Sequence, residues 1–149
     1  MKFSKILVCL LAFLLVGSAL FALETQSKYE VSFTYTALSK KGTGSSGEGV
    51  TPEIIIKMKD EAHADITIPR FAFSESKTIE KFIISDVNVS TDKDGNTTFA
   101  LKSFESTDGK SKVKGSDLKA TVKDGKLELY VEFKVSGMPF KLKVTYTSK

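Results

Sequence analysis

The chain has 149 residues, 41% of them hydrophobic and 11 of them Phe, with 22 Lys and Arg against 18 Asp and Glu. That length suits one domain, and the apolar share is too high for a disordered chain. One Cys, one His and no Trp leave little material for thiol, nucleophilic or metal chemistry.

Residues 1–22 read as a secretory signal peptide. Lys2 and Lys5 form its charged start, Ile6 to Val16 its apolar run, and residues 17–22 the small-residue segment that a signal peptidase cuts. The expected cut follows Ala22, with Ala19 as the alternative. Cys9 lies inside the apolar run and follows Val8, which is not the setting of a lipidated cysteine. Cleavage leaves residues 23–149 as a single domain with 20 basic and 18 acidic residues, a net charge of +2, and no cysteine. The expected location is therefore extracytoplasmic, periplasmic or secreted, with no disulfide and no membrane span in the mature form.

Strand signals then follow one another. Val31, Phe33, Tyr35 and Ala37 alternate with Ser32, Thr34 and Thr36, the period of a half-buried strand. Ser39 to Thr51 reads as a loop. Within it Gly42-Thr43-Gly44-Ser45-Ser46-Gly47 spells the dinucleotide fingerprint, but that chemistry needs a helix N-terminus for the pyrophosphate. An Ile-rich strand over Glu53–Lys59 follows instead. Glu61, His63 and Asp65, at alternate positions, would share one face of a strand. An imidazole and two carboxylates are weak candidates for a divalent cation. The plainer reading is a solvated face beside a hairpin at Lys59-Asp60-Glu61, so neither a metal nor a catalytic residue is expected.

Further strands are expected at Ala64–Phe73, Ile79–Val89, Thr97–Phe104, Leu118–Val122, Lys126–Val135 and Phe140–Thr147. Pro69 cannot donate to a ladder, so its strand is bulged, bent or at an edge. Asp94-Gly95, Asp108-Gly109 and Asp124-Gly125 are hairpin signals. Asp92-Lys93-Asp94-Gly95-Asn96 has the flavour of a calcium loop. Gly95 is fourth rather than sixth, however, and the twelfth position is Ser103 rather than Glu, so it reads as a turn. Asn88-Val89-Ser90 and Asn96-Thr97-Thr98 match glycosylation sequons. The lysines between Lys110 and Lys126 lack interleaved aromatics and read as a solvated strand face, with no nucleic acid as partner.

No helical period follows residue 23. Eight antiparallel strands with short links point to an all-β, up-and-down barrel, with a two-sheet sandwich as the alternative. A lipid-spanning barrel would need an apolar outside, whereas Lys and Glu recur here at alternate positions.

Three stretches resemble the calycin-like β-barrel domain proteins exported by bacteria, distant relatives of the lipocalins. They are Asp65-Ile66-Thr67-Ile68-Pro69-Arg70-Phe71, Ile79-Glu80-Lys81-Phe82-Ile83-Ile84-Ser85-Asp86-Val87 and Lys123-Asp124-Gly125-Lys126-Leu127-Glu128-Leu129. The resemblance spans roughly residues 29–147. It implies a barrel with an apolar cavity and no known activity, and it suggests that the loop from Ser39 to Thr51 crosses the open end. The lipocalin Gly-X-Trp signature is absent, its place taken by Tyr29-Glu30-Val31-Ser32.

Phe33, Tyr35, Met58, Phe71, Phe99, Phe133, Phe140 and Tyr146 form the expected inward set, as plain core or as the lining of a ligand cavity. The functional expectation is an exported, non-enzymatic barrel that holds a small apolar or amphipathic ligand without a cofactor. The alternative is a packed barrel of the cell envelope that binds a protein or glycan through its outer face or loops.

Overall fold

A computed structural model describes residues 25–72 and 77–149. The signal-peptide reading of residues 1–22 and the expected strand end at Phe73 lie outside the described residues. Among the described residues there are eleven strands: β1 (Thr25–Ala37), β2 (Lys40–Thr43), β3 (Glu53–Met58), β4 (His63–Ile68), β5 (Phe71–Ala72), β6 (Thr78–Ile79), β7 (Phe82–Thr91), β8 (Thr97–Thr107), β9 (Lys112–Lys123), β10 (Lys126–Val135) and β11 (Leu142–Ser148).

Eight of them form a closed antiparallel barrel. The sheet runs β11-β10-β9-β8-β7-β4-β3-β1, and β11 pairs back onto β1 from Val31↔Ser148 to Ala37↔Leu142. Closure rules out the sandwich. The β7–β8 ladder is short, running only from Asn88↔Ala100 to Thr91↔Thr97. β2 is an addition: it pairs with the last residues of β1, where β3 has left that edge.

Alternation drives the wall. In β10, Leu127, Leu129, Val131, Phe133 and Val135 are buried, while Lys126, Glu128 and Lys134 face solvent. Burying each such side chain is worth about 1.5–3 kcal/mol. The inside is apolar and the outside charged, the reverse of a barrel that spans lipid.

Several strand limits differ from the sequence expectation, each for a physical reason. β1 starts at Thr25 rather than Val31, because its first half inserts small or polar Ser27 inward and shows no apolar period. β2 lies inside the expected loop, and its turn is formed by Leu38 and Ser39 at φ 51° and 70°, the left-handed pair of a two-residue hairpin. The stretch expected as one strand to Phe73 breaks after Ile68, at Pro69-Arg70, and β5 then pairs with β6 instead. β9 begins at Lys112 rather than Leu118, because a bulge at Asp117 (φ 50°) shifts its alternation. A second bulge, at Asp86 (φ 57°), lets both Ile84 and Val87 face inward from β7.

The expected hairpins form. Asp124 and Gly125, at φ 53° and 77°, make the two-residue turn between β9 and β10. In the β7–β8 turn, Asp92 Oδ1 accepts the N–H groups of Asp94 at 2.9 Å and Asn96 at 3.0 Å. The Asn96 N–H is the main cause holding the Asp92 carboxyl below the usual range. That carboxylate serves its own turn.

Candidate functional site

The two barrel ends are unlike. At one end the short turns β3–β4, β7–β8 and β9–β10 close the wall. At the other, which we call the mouth, lie β2, residues 44–52, the β5–β6 hairpin, the β8–β9 turn and residues 136–141.

The glycine-rich loop lies across the mouth, and two of its glycines make this possible by what they lack. Gly44 donates to the Phe33 carbonyl at 2.7 Å, and a Cβ there would fall 1.9 Å from the Phe33 ring. Gly42 is cross-strand to Tyr35, and a Cβ would sit 2.7 Å from that ring. Only a residue without a side chain allows backbone to lie this close to an aromatic face.

The loop is fastened on its far side. Ser45 accepts the Ala72 N–H at 2.8 Å, and the buried Ser46 hydroxyl donates to the Arg70 carbonyl at 2.6 Å. Arg70 Nε donates to Glu80 Oε2 at 3.2 Å, which also accepts from Thr78. The Glu80 N–H in turn meets Asp108 Oδ2 at 3.3 Å. Asp108 Oδ1 caps its own turn through Lys110 at 2.9 Å and Ser111 at 2.7 Å. Burial works against the Asp108 charge, but the Ser111, Lys110 and Glu80 N–H groups outweigh it and hold the carboxyl below the usual range. A continuous polar strap thus crosses the mouth.

Beneath the loop is an aromatic cluster. Phe33 lies 5.2 Å from Phe71 and 4.9 Å from Tyr146, and Phe71 lies 5.0 Å from Tyr35. Phe133 belongs to a second cluster, 5.2 Å from Phe82, which stacks on Phe104 at 6.4 Å. Of the eight expected inward residues, four therefore gather under the loop. Met58 and Phe99 lie toward the opposite end, and Phe140 packs half-buried in the β10–β11 connection. Phe82 and Phe104 were not in the expected set; Phe104 is signalled only by its cross-strand partner Gly115, where a Cβ would fall 1.9 Å from the ring.

Tyr146 carries the unusual chemistry. It is fully buried, and its hydroxyl has no hydrogen-bond partner among the described residues. Burial alone raises its pKa far above the usual phenol range.

The other candidates resolve elsewhere. Glu61 sits in the β3–β4 turn rather than on β4, so it does not share a strand face with His63 and Asp65. His63 Nδ1 meets Asp60 at 3.1 Å, while Asp65 accepts the Asp86 N–H at 3.1 Å. Among the described residues, no three His, Cys, Asp or Glu side chains gather as a metal site. The G-x-G-x-x-G stretch leads into β3 and not into a helix.

The profile of the calycin-like β-barrel domain matches residues 27–149. The chain belongs to that family. No curated protein matches its sequence. The calycin-like barrel is similar in structure to a "putative outer membrane protein" of Bacteroides fragilis, with a TM-score of 0.68 and 15% identity. The likeness covers 84% of this chain and 50% of the other, so this chain spans about half the length of that structure. At such identity the likeness shows the fold alone.

Proposed function

We propose that this calycin-like barrel is a non-enzymatic module acting outside the cytoplasm, with a packed interior and a binding surface on its mouth-end loops and outer wall. The tight burial of the inward aromatics supports this reading. Phe33, Phe71, Phe133 and Tyr146 each keep at most 2% of their surface, whereas the lining of a water-sized void would remain accessible. The location rests on the signal-peptide reading of residues 1–22 and accords with the description of the B. fragilis structure.

A second reading, a small apolar ligand held inside the barrel, is favoured by the orphan Tyr146 hydroxyl. A buried hydroxyl without a partner costs about 1–3 kcal/mol, which a ligand's polar atom would offset. Such a ligand would lie among Phe33, Tyr35, Phe71 and Tyr146, with the glycine-rich loop displaced.

Tyr146→Phe separates the two. On the packed reading the variant gains roughly 1–3 kcal/mol in urea denaturation, and native mass spectrometry of the parent protein finds the bare chain. A loss of stability, together with a small molecule that accompanies the parent and is lost from the variant, would reject the packed barrel in favour of the ligand.

A further inference from the structure

The described residues expose three large apolar side chains, and all three are at the mouth. Leu38 (71% exposed) forms the tip of the β1–β2 turn, Val50 (50%) lies in the loop before β3, and Ile83 (51%) is the second residue of β7. They occupy neighbouring strands of one arc, since β1, β3, β4 and β7 follow one another around the wall.

Basic residues complete the rim. Lys40 and Lys41 follow Leu38 on β2, Lys81 precedes β7, and the exposed Glu48 lies two residues before Val50. On the other arc, Lys112, Lys114 and Lys134 border a groove of about 570 Å³ walled by Val135, Met138 and Pro139. Lys114 and Lys134 face each other directly across the β9–β10 ladder, an arrangement that repels unless an anion lies between them. Glu105, 3.6 Å from Lys114, is the acid in that groove. The opposite end is mixed in charge: its turns hold Asp60, Glu61, Asp92, Asp94 and Asp124 together with Lys59 and Lys93, and Lys123 and Lys126 flank the last of them.

We infer that the mouth docks on an anionic lipid surface, with Leu38 and Val50 entering the headgroup boundary and the rim lysines binding phosphate groups. The inference rests on the reading that the barrel acts through its mouth-end loops and outer wall, and names the partner. Isolated aliphatic side chains on a rim with an excess of lysines suit a bilayer interface, where each inserts by itself and basic residues add electrostatic attraction. A protein partner would instead call for a contiguous apolar patch. An acidic polymer would use the lysines and leave Leu38 and Val50 without a role.

The absence of Trp provides a clean probe. Purified protein should co-sediment with vesicles of phosphatidylcholine mixed with phosphatidylglycerol and not with phosphatidylcholine alone, and added salt should weaken the binding. On the mixed vesicles Leu38→Trp emission should shift to the blue, while Glu61→Trp at the far end should not shift. Lys112→Glu with Lys134→Glu should weaken binding more than about tenfold. Lys123→Glu with Lys126→Glu, at the far end, should change it less than about twofold.

Unshifted Leu38→Trp emission, or equal losses from both lysine pairs, would overturn the inference. So would binding to soluble polyglutamate as tight as to the vesicles. If vesicles fail while a protein or glycan binds the mouth face, the lipid inference falls and the outer-surface reading stands. If Tyr146→Phe exposes an interior ligand, the packed reading fails whatever the vesicles show.

Discussion

At Gly44 a missing carbon decides how the mouth closes. Its backbone rests on the Phe33 ring, and a Cβ would need the space 1.9 Å from it. We predict that Gly44→Ala costs about 1–3 kcal/mol in urea denaturation, the usual cost of overpacking. Gly49 offers the comparison: nothing lies within 4 Å of its Cβ position, but its φ is +73°. Gly49→Ala should lose about 1 kcal/mol through backbone strain alone. Wild-type stability in Gly44→Ala would mean that the loop is not seated on Phe33. The two glycines lie in one glycine-rich stretch of the sequence, and only the fold shows that they fail to tolerate a side chain for different reasons.

At the scale of elements, the bulges do most to shape the wall. In β9, Val113 faces inward, as do Leu118 and Ala120, and Asp117 absorbs the change of phase at φ 50°. A β-branched residue resists that left-handed conformation more than Asp does. Asp117→Val should therefore lose about 1–2 kcal/mol, read from the urea midpoint, whereas Asp117→Gly should lose none. In β7 the Asp86 bulge is further braced: its N–H meets Asp65, and its carboxylate takes the Lys59 ammonium at 2.8 Å. That hydrogen bond is the main cause holding Asp86 below the usual carboxylate range and Lys59 above its own. The same bulges explain which strands could be read from sequence. β10 keeps strict alternation and is found with its limits as expected, Lys126–Val135. The first half of β9 was missed because Gly115, Ser116 and Asp117 interrupt the period.

On the scale of the whole molecule, Asp108 joins parts that no ladder connects. Its carboxylate caps the β8–β9 turn and also receives the Glu80 N–H beside the β5–β6 hairpin. Its pKa is lower folded than unfolded, so the folded protein binds fewer protons. The stability it contributes is therefore complete above its unfolded pKa of about 4 and declines as pH falls through the lower, folded value. Asp108→Asn should lose roughly 1–3 kcal/mol at neutral pH. In thermal denaturation from pH 7 to pH 2, the gap between variant and parent should narrow toward the acid end. A gap that stays constant down to pH 2 would show that the carboxylate charge plays no part.

Composition and period alone determine a good deal about this protein. Charge on alternate positions dictates an all-β chain, and the Asp-Gly pairs dictate where β7, β8 and β9 turn back, because both are local properties of backbone and solvent. Phe33, Phe71, Phe99, Phe133 and Tyr146 were likewise legible as inward residues, since burial follows from the alternation, whereas Phe82 and Phe104 were not. The grouping of the inward residues was not legible. Whether Phe33 meets Tyr146 or Met58 depends on strand order and register, which are set by contacts between residues far apart in sequence. Tertiary structure alone closes β1 on β11, seats the glycine loop across the mouth and links Arg70, Glu80 and Asp108 into a strap. It also gathers Leu38, Val50, Ile83 and the rim lysines at one end, because antiparallel pairing brings alternate turns of the chain to the same side.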